Sequence, residues 1–67
     1  MEFEYFIKRM FELANELAKS PANSEKLLHE YDTNLAIIKQ GLEFMAKENL
    51  RHDQISYSEE TKGFVKK

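Results

Sequence analysis

The chain has 67 residues, no cysteine, and 12 acidic against 10 basic residues for a formal charge of −2. This length suits one small domain, and the missing cysteines exclude disulfides and thiolate metal sites. A core of this size seldom supplies more than ~3–5 kcal/mol, so self-association is the expected way to complete it.

The charges are well mixed and form no basic stripe, which disfavours a dedicated polyanion binder. The opening stretch, MEFEYFIKRMFELANELAKS, is acidic at once and its apolar residues are interrupted by charge, unlike a signal peptide. No window approaches the ~20 apolar residues of a membrane span. The expectation is a cytoplasmic protein without a membrane segment.

The first predicted element is helix 1, from about Phe3 to Lys19. Phe3, Phe6, Ile7, Met10, Leu13, Ala14 and Leu17 recur at three- and four-residue intervals and form one stripe. Phe11 and Ala18 widen its edge. Glu4 and Lys8 have the favourable i,i+4 order on the polar side.

KSPANSEK is the predicted turn. Proline disfavours helical geometry at Ser20, and Asn23 or Ser24 suits the cap of a second helix with Glu25 near its positive end. Ser20 as cap, with Pro21 at the first helical position, is a competing start. A short connection implies an antiparallel return.

Helix 2 is predicted from about Ser24 to Arg51. Leu28, Tyr31, Leu35, Ile38, Leu42 and Met45 are spaced 3, 4, 3, 4, 3. Asp32, Thr33 and Asn34 are poor helix formers, but the stripe keeps its phase across them. Residues 52–67 lose the helical period and read as a short, irregular, partly ordered tail. Ile55 and Tyr57 alternate with polar residues, a weak strand signal, and Ser58-Glu59-Glu60 suits one helical turn ending at Gly63.

The two helices differ in length, about 25 Å against about 40 Å, so helix 1 covers helix 2 only to roughly residue 40. Beyond that point apolar residues lie on two sides of helix 2, with Ile37 and Phe44 nearly opposite Leu35 and Leu42. The tail can cover one side with Ile55, Tyr57 and Phe64. A second copy can cover the other, with Gly41 admitting its backbone or a large side chain. Ile37, Gly41, Phe44, Met45 and Leu50 are therefore the predicted interface. A helix stop at Gly41, followed by a third helix from Leu42 to Leu50, is the competing reading. Tyr5, on the polar side of helix 1, and Phe11 are candidate contacts for a partner.

Candidate chemistry is thin. Glu25–His29 and Glu48–His52 have the i,i+4 spacing a metal site uses, but they stand at opposite ends of helix 2. No motif sets a nucleophile beside a base, and neither glycine belongs to a phosphate loop. No catalytic residue, metal or cofactor is expected. Lys62, Lys66 and Lys67 make a modest basic end, which keeps weak phosphate binding as a minor reading.

The expectation is an all-α antiparallel helical hairpin that self-associates, as a dimer or dimer of dimers, into a four-helix-type bundle. It would act as a small non-enzymatic protein–protein interaction or regulatory module, binding itself and another protein. The alternatives are a weak nucleic-acid-associated accessory protein and a structural component of a larger assembly, such as that of a phage or mobile element.

Overall fold

The structure is a computed structural model, and it describes residues 1–19, 22 and 24–67. The capping roles expected of Ser20, Pro21 and Asn23 lie outside these residues. Two helices, α1 (Phe3–Lys19) and α2 (Ser24–Glu48), are followed by a 3₁₀ turn at His52–Gln54 and strands β1 (Ile55–Ser58) and β2 (Gly63–Lys66).

The helices run antiparallel, and three contacts set their register. The Phe3 ring lies beside Gly41, the Asn34 side chain reaches the Phe6 carbonyl, and Arg9 pairs with Glu30. Helix α2 is continuous through Gly41, so the helix-stop reading is not the one the chain adopts. It also passes through the poor formers at 32–34. Thr33 Oγ1 donates to the His29 carbonyl one turn back at 3.0 Å, which satisfies the hydroxyl without leaving the helix. Asn34 turns inward and donates from Nδ2 to the Phe6 carbonyl at 2.7 Å.

That buried bond is directional. Asn34→Asp replaces the donor with an acceptor, so at pH 7 the variant should lose about 1–3 kcal/mol or more. Burial and the facing carbonyl raise the folded-state pKa of such an aspartate above its unfolded value. Its stability is therefore intact below about pH 3.9 and is lost as pH rises through the folded value. Urea titrations of both chains from pH 3.5 to 7.5 should show the gap opening with pH. A pH-independent gap would mean that the donor role is misplaced.

Helix α2 ends at Glu48, three residues before the predicted Arg51. Asn49 takes the left-handed conformation, φ 56°, and the Leu50 N–H donates to the Met45 carbonyl at 3.0 Å. This is a Schellman cap, with asparagine in the place glycine commonly fills.

The C-terminal segment is an antiparallel β-hairpin, not the irregular tail expected. Ile55 faces Lys66 and Ser58 faces Gly63 across the ladder. Residues 59–62 form the loop, where no helical turn develops. Lys62 there has φ 56°, and its carbonyl accepts a bond from Gln40 Nε2 at 3.1 Å, tying the loop to α2. The other edge of β1 is also occupied: Met1 and Tyr57 exchange backbone hydrogen bonds at 2.7 and 2.9 Å, and Glu2 bridges Ser56.

The hairpin brings apolar residues onto the helices. Phe3, Phe6, Ile38, Ile55 and Phe64 form the buried core, with Ile37, Phe44, Met45, Leu50 and Tyr57 packed around it. Phe3, Phe6, Tyr57 and Phe64 make a tilted and edge-to-face aromatic cluster with centroids 5.3–6.1 Å apart. Leu13 is buried separately, further along α1 toward the turn.

Candidate interaction face

The hairpin covers one side of the two-helix layer and leaves the other open. On that open side α1 presents Ile7 and Phe11, one turn apart. Helix α2 presents Leu28, Leu35 and Leu42, which recur every seven residues and drift only about 40° around the helix over two heptads. Phe11 is 62 % exposed, Leu28 48 % and Leu42 53 %, while Leu35 is half-buried. The alternate positions Tyr31, Ile38 and Met45 are at least half-buried. Helix α2 thus has a two-row seam: α1 takes the inner row, and the outer row is open.

This face has relief. At the end away from the turn lies an open groove of about 670 Å³, floored by Phe3, Ile7, Leu42 and Met45. Glu4, Lys8, Arg51 and His52 stand at its rim. On the half nearer the turn, Phe11, midway along α1, and Leu28, one turn into α2, are exposed.

The rim is knit by ion pairs. The His52 imidazole donates from Nδ1 to the Glu4 carboxylate, which as an ionised group can only accept. That bond holds the Glu4 carboxyl below the usual glutamate range. Arg51 pairs with Asp53 at 3.2 Å. At the outer ends of the molecule Lys67 pairs with Glu2, which raises the Lys67 ammonium, and Lys66 lies 3.7 Å from Glu48. Arg9 donates to Glu30 at 2.7–2.8 Å, raising its guanidinium and clasping α1 to α2. All lie at the surface, where solvent screening leaves such pairs little net contribution to stability.

The residues predicted from sequence take the following places within the single chain. Gly41 is buried within the single chain, against its own Phe3 and Phe64. Ile37, Phe44 and Leu50 pack against the core, and Met45 floors the groove. Tyr5 is half exposed and leans edge-on against Phe6 at 5.3 Å. It lies about 120° around α1 from Phe11, so these two aromatics do not share one surface. His52 sits beyond the end of α2 and pairs with Glu4, so Glu48–His52 is not a helical pair. Among the described residues no three histidines or acids converge as a metal site, and no helix is long and apolar enough to cross a membrane.

Leu28 and Leu42 are the face residues that the sequence reading placed on the stripe of helix 2, Leu42 beyond the reach of helix 1, without including either in the predicted interface. The available signal was their seven-residue spacing: a single helix packed on α2 fills one row of such a seam, and here that row is Tyr31, Ile38 and Met45.

No family model, curated protein or solved structure matches the chain.

Proposed function

We propose that the protein is a small non-enzymatic interaction module that self-associates through the open face of its helical layer, forming a four-helix-type arrangement with α2 at the centre. The observation that carries this reading is the run of exposed large apolar residues, Phe11, Leu28 and Leu42, on one side of a 67-residue chain. Singly exposed apolar residues are ordinary, but a continuous strip beside an apolar groove marks a binding surface. The pairing of Lys66 and Lys67 with acids leaves little free positive charge at the C-terminal end for nucleic acid.

Sedimentation velocity across micromolar concentrations tests it. The native chain should run as a dimer or tetramer. Leu42→Glu should run as a monomer with unchanged far-ultraviolet circular dichroism, because Leu42 is more than half exposed within one chain. A native chain that stays a folded monomer at the highest concentration overturns the reading.

A further inference from the structure

The open face has a pattern that selects one partner and one orientation. On α2 the outer ridge is Leu28, Leu35 and Leu42, and the margin beyond it carries Glu25, Asp32, Lys39 and Ala46, again every seven residues. Asp32 and Lys39 are both exposed, and neither forms an ion pair among the described residues.

A second α2 laid antiparallel across this ridge, with the dyad at Leu35, sets Leu28 against Leu42 of the other copy. The same register sets Asp32 against Lys39 of the other copy, and the dyad repeats that pair. A parallel two-fold arrangement carries the two copies of this margin to opposite sides of the seam, where Asp32 and Lys39 do not meet. The opposite charges therefore favour the antiparallel orientation.

The relief points the same way. Exposed Phe11 and Leu28 lie on the half of the face nearer the turn, and the groove floored by Phe3, Ile7, Leu42 and Met45 lies on the other half. A two-fold axis between the halves brings each exposed pair to the other copy's groove, as a self-complementary patch requires. The molecule measures 40 × 20 × 17 Å. Its long face therefore offers a footprint on the order of 700 Å² per copy, near the ~800 Å² per partner of a standard interface.

We infer that the occupant of this face is a second copy of the chain, packed with α2 antiparallel to α2 about a two-fold axis at Leu35 and paired through Asp32 and Lys39. The inference rests on the self-association reading above and adds its orientation and register.

Two experiments test it. Asp32→Lys and Lys39→Asp should each weaken dimerisation at least tenfold at low salt, and the double exchange D32K/K39D should restore it. The cysteine-free chain also permits unambiguous cross-linking. In this register Glu25 of one copy neighbours Ala46 of the other, whereas the two copies of residue 25 stand about 30 Å apart and those of residue 46 about 33 Å apart. Under mild oxidation a mixture of E25C and A46C chains should form the mixed disulfide, and neither variant alone should form its own. Circular dichroism identifies any variant that fails to fold, and the charge exchange supplies a second reading if a cysteine variant does. A dimer that cross-links 25 to 25 or 46 to 46, or yields no cross-link, overturns the orientation while leaving self-association standing. A native chain that remains monomeric overturns both.

Discussion

Ile55→Ala should leave the chain largely unfolded at 25 °C. Ile55 is fully buried at the start of β1, in one cluster with Phe3, Phe6, Ile38 and Phe64. Truncating a buried isoleucine to alanine removes about 2–5 kcal/mol, through lost transfer energy and the cavity left behind. A core of this size supplies ~3–5 kcal/mol in all, so one truncation is comparable with the whole stability of the fold. Val65→Ala is the matched control. Val65 lies in the same hairpin, 41 % exposed, and its truncation should change stability by no more than about 0.5 kcal/mol. Thermal melts followed at 222 nm, at one fixed protein concentration because association also stabilises, separate the two. If Ile55→Ala melts like Val65→Ala, the hairpin is an appendage and the helices hold themselves together. The structure requires the opposite, since β1 and β2 supply two of the five residues of the central cluster.

That dependence marks where the sequence was readable and where it was not. Helix α1 was legible because seven apolar residues repeat the helical period without interruption. Helix α2 was legible in type and start, but its end was not: Asn49 gives little warning that it will take a left-handed conformation, and the cap depends on a backbone bond that no side-chain pattern records. The hairpin was nearly silent because its strands are four residues each and carry few inward residues. Ile55, Tyr57 and Phe64 face the helices, and only Ile55 and Tyr57 show the alternation. The need for cover over the far half of α2 was legible from the mismatch in helix length, and Ile55, Tyr57 and Phe64 were correctly available to supply it. The open face was harder to read. A 3–4 spacing on α2 looks like one stripe meeting one helix, yet its two rows point far enough apart for α1 to bury one and leave the other.

Gly41 is the position where this distinction has the largest local consequence. Gly41→Ala should fail to stabilise the chain and should cost up to about 2 kcal/mol, against the direction that helix propensity alone predicts. Alanine is favoured over glycine in a helix interior by about 1 kcal/mol, and Gly41 lies well inside α2 with ordinary helical backbone. A methyl group placed there, however, falls 2.6 and 2.8 Å from two ring carbons of Phe3 and 3.0 Å from one of Phe64. Contacts this short force a ring to move: Phe64 is held against Phe6 and Tyr57, and Phe3 can shift only toward the groove that it floors. Phe3 and Phe64 are both buried, with centroids 5.8 Å apart, and Phe64 also packs on Phe6 and Tyr57. Overpacking of this kind costs about 1–3 kcal/mol, which exceeds or offsets the propensity gain, and Gly41→Leu should exceed it clearly. The coupling can be measured directly. Phe3→Leu shortens the opposing side chain, so the pair Gly41→Ala and Phe3→Leu should be less destabilising than the sum of its parts by at least about 1 kcal/mol. Denaturant titrations of the four chains of that cycle give the number. A stabilised Gly41→Ala with no coupling to Phe3 would mean that the glycine faces open space and awaits another chain. The geometry requires a penalty instead, because the close approach at Gly41 is made by the first turn of α1 and the second strand of the same molecule.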